Sequence, residues 1–349
     1  MCGIWGWWNR NGSPAPDEMT IRQAADIMRK RGPDDFGFYR SPSGFAMGFR
    51  RLSIIDLTTG HQPVSNEDGS IQVTLNGEIY NFQSVRERLI GLGHVFRTFS
   101  DTEVIVHGYE QWGEAVADRL CGMFAIAIWD ENHRRLLLIR DRLGIKPLYY
   151  FIKNDIFGYA SDPRALMTFP DICHSLDNDA LSLYLYYGYV PAPWTIYKDI
   201  KKLRPGHLCM VSDNSEYISR YWNLSFEPVK QEKELYQQKF SELFGEVVGE
   251  HLISDVPLGA FLSGGMDSTS VVQAASEKNG KQILTFNMAF DDPEANESFY
   301  ARQAADILNS DHHEMSMADD PGNYIVEALS QFPEPFGDSA AVPNYLYRE

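Results

Sequence analysis

The sequence predicts an α/β protein with two domains, an α+β N-terminal part followed by an α/β part. Its 349 residues suit about two domains. Up to about residue 225, short strands are frequent and helices are few, which is typical of layered sheets flanked by helices. Beyond that point strands and helices alternate, as in a parallel sheet. We therefore predict domains at 1–225 and 226–349.

The first domain contains β-rich stretches bounded by turn residues and two stretches of helical periodicity. The predicted strands are 54–58, 71–77, 123–130, 135–141, 147–152 and a last one at HLCMVS; the predicted helices are 17–31 and 101–113. In the second domain the order is a helix at 233–252, a buried strand (GAFLS), a helix (DSTSVVQAASEK), a strand (ILTFNMAF) and a helix (SFYARQAADIL).

Composition excludes several classes of protein. The net charge of −17 argues against a nucleic-acid-binding surface, which needs clustered Lys and Arg. No stretch approaches the roughly 20 apolar residues of a membrane-spanning helix. The cysteines, Cys2, Cys121, Cys173 and Cys209, form no C-x-x-C pair and do not resemble a disulfide framework. We expect a cytoplasmic protein that binds neither nucleic acid nor membranes.

The chain opens with MCGIWG, which puts a cysteine directly after the initiator methionine. Removal of Met1 would leave Cys2 with both a thiol and a free α-amine. An α-amine has a pKa of roughly 8, so it can act as general base for the thiol of its own residue. The alternative is that Cys2 is a small buried apolar residue. We expect no lipid attachment at Cys2, because the N-terminal residues lack the basic segment of a signal peptide and Asn9 and Arg10 interrupt their apolar stretch.

A glycine-rich turn, FLSGGMDSTS, lies between a predicted strand and a predicted helix. It lacks the Lys of a P-loop and the spacing of a dinucleotide fingerprint. Its two glycines, the hydroxyls of Ser263 and Ser268 and a helix N-terminus are the components of an anion site. The alternative is a plain strand–helix turn in which Asp267 or Ser268 caps the helix.

Seven motifs of the first domain together resemble the class II glutamine amidotransferase domain. They are MCGIWG, RGPDDFG, RRLSIIDL, LNGEIYN, FSDTEV, GMFAIAIWD and RDRLGIKPLYY. The resemblance implies an N-terminal-nucleophile hydrolase with an αββα sandwich, in which Cys2 attacks the side-chain amide of glutamine and releases ammonia. It implies that the Asn76 side chain and the Gly77 N–H stabilise the oxyanion, although an Asn-Gly pair also suits a hairpin turn.

The same resemblance assigns the remaining glutamine contacts. Arg51 would hold the α-carboxylate, for which a guanidinium fork is suited. Asp101 and Glu78 would hold the α-ammonium, and Asp101 could also cap the helix that follows it. The implied glutamine-binding residues are Arg51, Leu52, Ser53, Ile54, Asn76, Gly77, Glu78 and Asp101.

SGGMDS resembles the pyrophosphate loop of ATP pyrophosphatases, and the stretches around it resemble the synthetase domain of glutamine-dependent asparagine synthetases. DHHEM and EPFGDSAAVP match that family too. The resemblance implies an ATP site formed by Leu262, Ser263, Gly264, Gly265, Asp267, Ser268 and Met288, with Mg²⁺ on Asp267. It implies that aspartate, ATP and glutamine give asparagine, AMP, pyrophosphate and glutamate. It also allows a homodimer.

The resemblance leaves alternatives open. The family's later S-G-[ED]-G-x-D-E motif is absent, so we expect a C-terminally truncated chain with a partial PP-loop domain. The alternatives are a related enzyme with a different carboxylate acceptor, a glutaminase alone or a non-catalytic remnant.

The histidines do not indicate a metal site. His312 and His313 are rejected as a zinc site, because adjacent side chains point apart. The other histidines are interpreted as surface or structural; they are His61, His94, His107, His133, His174, His207 and His251.

Overall fold

The computed structural model describes residues 2–169, 172, 174–294, 296–316 and 321–346. It divides into two compact units. Unit 1 is Met1–Ser225 with Pro333–Gly337, and unit 2 is Phe226–Phe332 with Asp338–Glu349. Cys173 lies outside the described residues.

Unit 1 contains strands and helices in the following order. The strands are β1 (Gly3–Asn9), β2 (Asp35–Arg40), β3 (Phe45–Arg51), β4 (Val64–Ser65), β5 (Ile71–Ile79), β6 (Gly122–Asp130), β7 (Arg135–Arg140), β8 (Tyr149–Lys153), β9 (Ile156–Ala160), β10 (Lys201–Lys202), β11 (His207–Ser212) and β12 (Glu216–Arg220). The helices are α1 (Glu18–Ile27), α2 (Phe82–Gly91), α3 (Glu103–Trp112), α4 (Pro163–Leu166) and α5 (Asn178–Tyr187).

These strands form two antiparallel sheets within the described residues. The first has the order β10-β8-β9-β1-β3-β2 and the second β12-β11-β7-β6-β5-β4. Their inner faces share one core, in which the rings of Phe45 and Trp129 stack with centroids 4.1 Å apart and Trp8 meets Trp129 edge-on at 4.8 Å. Aromatic pairs of this kind add stability beyond the area they bury.

Helices cover the outer faces of both sheets. On the first sheet, Ile21 of α1 and Met28, which caps that helix, pack against Trp5 and Trp7 of β1. On the second sheet, α3 lies against β4 and β5, and α2 packs on α3. The layers therefore run helix, sheet, sheet, helix, which confirms the αββα sandwich and the mixed α/β class.

Two predicted elements of unit 1 differ from the structure. The stretch 54–58 is a turn and not a strand, because the Asp56 carboxylate accepts the N–H groups of Thr59 (2.8 Å) and Phe99 (3.0 Å) and holds Asp56 at φ +54°. Helix α3 begins at Glu103 with Thr102 as its N-cap, so Asp101 does not cap it. The Asp101 carboxylate instead accepts the N–H of Ile79 at 2.9 Å.

Unit 2 has the predicted parallel strand–helix alternation. Its elements are α6 (Lys233–His251), β13 (Gly259–Phe261), α7 (Met266–Asn279), β14 (Leu284–Ala289), α8 (Ser298–Leu308), β15 (Asp311–Ser316), α9 (Ile325–Ser330) and α10 (Ala341–Leu346). The sheet order is β13-β14-β15, and both pairings are parallel. We predicted that β13 is buried. In the described structure this is wrong, because β13 is an edge strand and its Phe261 is 61% exposed.

No helix among the described residues has the length and apolarity needed to cross a membrane.

Residues Pro333–Gly337 pack on unit 1, although the predicted boundary at 225 assigns them to the second domain. Glu334 is the anchor of this segment. Its carboxylate pairs with Lys202 Nζ at 2.8 Å and accepts the Tyr149 hydroxyl at 3.1 Å and the Ile196 N–H at 2.9 Å. Both members of the ion pair are largely buried. Burial and the Glu334 carboxylate also raise the pKa of Tyr149 well above its ordinary value.

Glu334→Ala is expected to lower the free energy of unfolding of unit 1 by about 3 kcal/mol, because Lys202 would remain buried without its counter-ion. The seven tryptophans all lie within residues 1–225, so urea unfolding followed by tryptophan fluorescence reports on unit 1. The control is Glu216→Ala, which breaks the more exposed Arg10–Glu216 pair and should cost less than about 1 kcal/mol. Equal losses in the two variants would contradict the anchoring role of Glu334.

Candidate active site

A cavity of about 260 Å³ in unit 1 brings most of the predicted first-domain site residues together. Its lining consists of Cys2, Arg51, Leu52, Ile54, Ile55, Gln62, Leu75, Asn76, Gly77, Glu78, Ser100, Asp101, Thr102, Met123 and Lys146. Ser53 is the one predicted residue outside this lining, and its N–H binds the Asp34 carboxylate at 2.8 Å.

Cys2 enters the cavity directly before β1. Its Sγ accepts the N–H of Leu52 at 3.4 Å and donates to the Leu52 carbonyl at 3.6 Å, so the thiol is held against the end of β3. Burial raises the pKa of the Cys2 thiol, while the Leu52 N–H, the chain's amino terminus and Arg51 act in the opposite direction. The thiol form is therefore favoured, and a thiolate requires a nearby base.

Arg51 lies at the end of β3 and is buried. Its Nη2 donates to the carbonyls of Ile55 (2.8 Å) and Asp56 (2.7 Å). The turn found in place of the predicted strand 54–58 thus fixes the guanidinium in the cavity wall. A guanidinium held in this way can offer its other donors to a carboxylate without first losing side-chain entropy.

Asn76 and Gly77 lie inside β5, opposite Ala125 and Phe124 of β6, so the hairpin-turn alternative is wrong. Gly77 has φ +146°, and a Cβ on it would collide with the carbonyl oxygen of Met123. Only glycine fits there. The strand register therefore places an Asn side chain and a Gly backbone next to each other in the cavity wall.

Ser161 fixes the Asn76 side chain. Its Oγ lies 3.1 Å from Asn76 Nδ2 and accepts the Ile4 N–H at 3.2 Å, while Asn76 Oδ1 is buried without a hydrogen-bond partner in the described part of the chain. With the amide rotated by 180°, the Ser161 hydroxyl would donate to Oδ1 and Nδ2 would become the free group. That orientation satisfies the buried oxygen and provides an N–H donor.

Two acidic side chains, Glu78 and Asp101, lie in the same wall. Burial raises the pKa of Asp101 to about 6, with Glu78 adding to the rise and the Ile79 N–H and Arg51 opposing it. A carboxylate with this pKa is ionised at neutral pH, but its burial makes the charged form unfavourable in free energy. A ligand cation in the cavity would relieve that cost.

The sequence did not single out Gln62, Thr102 and Lys146 as lining residues. Gln62 donates to the Thr102 hydroxyl at 3.1 Å and accepts the Leu75 N–H at 2.8 Å, so it joins the α3 terminus to β5. Burial lowers the pKa of Lys146, while Glu78 and Cys2 oppose that shift. Lys146 could have been predicted, because it belongs to the motif RDRLGIKPLYY. Gln62 belongs to none of the quoted motifs.

The glycine-rich turn in unit 2 joins β13 to α7. Gly264 has φ +78°, and a Cβ there would collide with the backbone of Tyr300. Ser263 Oγ and Ser268 Oγ lie 3.0 Å apart, and Ser263 Oγ accepts the Gly265 N–H at 3.3 Å. Gly265 is the N-cap of α7, so the alternative in which Asp267 or Ser268 caps the helix is wrong.

The three other predicted residues of this second site differ in accessibility. Asp267 is exposed in the first turn of α7, where a carboxylate can share Mg²⁺ with phosphate oxygens and water. Leu262 belongs to the core formed with Val272 and Ala305, and Met288 is buried on β14. The Leu262 side chain therefore packs against α7 and α8.

Comparison with known proteins identifies two family regions. Residues 1–222 match the family described as glutamine amidotransferase domain, and residues 239–349 match the family described as asparagine synthase. Both resemblances noted in the sequence are confirmed. Among solved structures, the chain is similar to glutamine phosphoribosylpyrophosphate amidotransferase from B. subtilis, at 17% identity and a TM-score of 0.46 over 81% of this chain and 65% of that one.

Three curated relatives illustrate the match over most of the chain. Asparagine synthetase [glutamine-hydrolyzing] 1 of Bacillus subtilis is 36% identical over 99% of this chain and 55% of its own length. Putative asparagine synthetase [glutamine-hydrolyzing] 2 of Methanocaldococcus jannaschii is 30% identical over 100% of this chain and 71% of its own length. Amidase chry2 of Gibberella zeae is 31% identical over 88% of this chain and 48% of its own length. The chain spans about half the length of the three Bacillus subtilis asparagine synthetases that it matches.

Proposed function

The chain belongs to the family of glutamine-hydrolysing asparagine synthetases, and on that premise we propose that unit 1 releases ammonia from glutamine and unit 2 binds ATP to activate aspartate. The observation that carries this proposal is the single cavity lined by Cys2, Arg51, Asn76, Gly77 and Asp101. A nucleophile, an oxyanion site and clamps for both charges of an amino acid are what amide hydrolysis of glutamine needs.

Cys2 is the proposed nucleophile. Once Met1 is removed, the α-amine of Cys2 takes the thiol proton, and Sγ attacks the side-chain amide carbon of glutamine. The proton is then passed to the leaving nitrogen, which departs as ammonia and leaves a γ-glutamyl thioester. Water hydrolyses the thioester, giving glutamate and the free thiol. The raised pKa of the buried thiol explains why the adjacent base is needed.

Asn76 and Gly77 are the proposed oxyanion donors. The tetrahedral intermediate of each step carries a negative oxygen, and fixed N–H groups stabilise it without reorganisation. Gly77 lines the cavity, and its backbone conformation at φ +146° is open to glycine alone. Ser161 is the proposed positioning residue for Asn76, since its hydroxyl can hold Oδ1 and turn Nδ2 towards the cavity.

The two charged ends of glutamine have complementary partners in the wall. Arg51 is the proposed partner of the α-carboxylate, held in place by the carbonyls of Ile55 and Asp56. Asp101 and Glu78 are the proposed partners of the α-ammonium. Leu52 and Ile54 line the same cavity, whereas Ser53 could contribute only from outside its present lining.

Unit 2 is proposed to bind ATP at the turn 263–268. The anion-binding components are the N-terminus of α7, the hydroxyls of Ser263 and Ser268 and the backbone at Gly264 and Gly265. Asp267 is the proposed carboxylate for Mg²⁺, which would neutralise phosphate charge during cleavage between the α and β phosphates. Leu262 and Met288 are buried, so they are proposed to contact the nucleotide through backbone atoms.

The full reaction proposed is that of the family's named members. The β-carboxylate of aspartate attacks the α-phosphorus of ATP and releases pyrophosphate; ammonia then displaces AMP to give asparagine. A different acceptor carboxylate is the alternative. A homodimer and a cytoplasmic location are part of the proposal.

The proposal predicts that the chain converts glutamine to glutamate and that Cys2→Ala abolishes this activity. The assay contains glutamine, ATP, Mg²⁺ and aspartate, and it quantifies glutamate, AMP and asparagine after the loss of Met1 has been checked by mass. Cys121→Ala is the matched control, because that thiol lies outside the cavity.

Each product has a separate meaning in this assay. Glutamate formation that survives Cys2→Ala would refute the nucleophile. AMP and asparagine formed in equal amounts would support aspartate as the acceptor. AMP formation that depends on another carboxylate would refute asparagine as the product while leaving the glutaminase intact.

The pKa of Asp101 predicts the acid limb of glutamine hydrolysis. Below pH of about 6, kcat/KM for glutamine is expected to fall about tenfold per pH unit, because protonated Asp101 no longer attracts the α-ammonium. Bound glutamine stabilises the carboxylate, so kcat should change less than kcat/KM over the same range. The measurement is the pH profile of both parameters.

Asp101→Asn provides the control for this profile. It should lower kcat/KM at neutral pH and remove the limb near pH 6. An unchanged limb in Asp101→Asn would show that another group titrates there.

A further inference from the structure

We infer that His94, His107 and Glu110 of unit 1 form a binding site for a divalent transition-metal ion, for which zinc is the natural probe. His107 and Glu110 lie one turn apart on α3, and His94 lies in the segment that follows α2. None of the three lines the cavity that contains Cys2. The inference does not depend on the proposed function.

The spacing of the ligand atoms suits a tetrahedral ion. Glu110 Oε2 lies 2.9 Å from His107 Nδ1 and 3.6 Å from His94 Nδ1. One ligand atom of each residue lies within 4.8 Å of those of the other two. Zinc bound at roughly 2.0–2.1 Å holds tetrahedral ligand atoms roughly 3.3 Å apart. Small side-chain rotations are therefore enough to close the site around an ion.

Each of the three ligands has a further polar group near it on its far side, hydrogen-bonded for His94 and Glu110 and slightly more distant for His107. His94 Nε2 contacts Gln111 Oε1 at 3.2 Å, His107 Nε2 lies 3.6 Å from the Glu103 carboxylate, and Glu110 Oε1 accepts an N–H of Asn66 at 3.0 Å. Partners of this kind fix the tautomer of a ligating imidazole and direct its other nitrogen to the metal.

His107 is the most buried of the three proposed ligands. Its side chain is 2% exposed, and its Nε2 is buried with no hydrogen bond among the described residues, the carboxylate of Glu103 being near but beyond hydrogen-bond distance. A proton on Nε2 would be drawn towards Glu103 and leave Nδ1 free to bind a cation. Phe96 packs edge-on against the same ring at 4.6 Å and shields it.

The donor set determines the class of ion. Two imidazoles and one carboxylate suit zinc and its transition-metal neighbours and leave a fourth position for water. Mg²⁺ and Ca²⁺ prefer oxygen ligands and are disfavoured. A metal here would tie the segment after α2 to α3. That segment continues to Ser100 and Asp101, which line the cavity.

The competing explanation is a metal-free ion pair, in which a protonated His107 bridges Glu103 and Glu110. That arrangement uses two carboxylates and one histidine and does not require His94, which lies 3.6 Å from Glu110. Substitution of His94 therefore separates the two explanations.

The test is equilibrium dialysis of the full chain against zinc chloride, with bound zinc quantified by mass spectrometry. All proteins carry Cys2→Ala, so that the cavity thiol cannot bind zinc. We expect one zinc per chain and a zinc-dependent rise in the melting temperature followed by tryptophan fluorescence. His94→Gln should weaken zinc affinity more than about tenfold, since loss of an outer partner alone costs roughly 10–100-fold.

His133→Gln is the matched control. His133 Nδ1 pairs with Asp130 at 2.8 Å with the same three-residue spacing, but this pair belongs to no three-ligand group among the described residues. It should leave zinc binding unchanged. If His94→Gln unfolds, Glu110→Gln provides the same comparison. Absence of stoichiometric zinc in the parent protein, or equal affinity in His94→Gln and His133→Gln, would overturn the inference.

Discussion

The placement of Cys2 depends on the hydrogen bonding of β1 on both of its edges. β1 pairs with β3 from Gly3 to Trp8 and with β9 from Trp5 to Asn9, and its tryptophans fill the core on both faces of the sheet. At Gly6 a Cβ would collide with the ring of Tyr159. A strand packed this tightly has one register. The residue before it therefore has one position, against Leu52 at the end of β3.

The other groups of the cavity are fixed by the same two sheets. β3 ends at Arg51, and the register of β5 with β6 presents Asn76 and Gly77. Asp101 is held by the N–H of Ile79 on β5. The charged and polar groups are thus positioned by strand pairing and buried turns, which cost little entropy when a ligand binds.

The sequence predicted the identity of the site residues better than the local structure that holds them. Strand alternation and the quoted motifs predicted the layered first unit, the parallel second unit and eight of the fifteen residues that line the cavity. The turn at 54–58 was missed because Ile54, Ile55 and Leu57 imitate a strand, whereas Asp56 bonds its neighbours' N–H groups. Contacts between residues distant in sequence have no local pattern. Examples are Ser161 with Asn76, Glu334 with Lys202, and His94 with Glu110.

The same limitation explains the interpretation of His94 and His107 as surface or structural residues. The i,i+3 relation of His107 to Glu110 on α3 is visible in the sequence, but the approach of His94 depends on the path of the chain after α2. In unit 2 the turn 263–268 is local, and the sequence described its components correctly except for the cap. Local chemistry is therefore the more predictable part of a site.

The most direct test of the account is covalent trapping at Cys2. The chain, with Met1 removed, is incubated with a glutamine analogue that carries an electrophilic carbon in place of the side-chain amide. The site of addition is then mapped by peptide mass spectrometry. The account predicts one adduct, on Cys2, whose formation excess glutamine suppresses. Modification of Cys121, Cys173 or Cys209 instead, or labelling of Cys2 that glutamine does not affect, would contradict it.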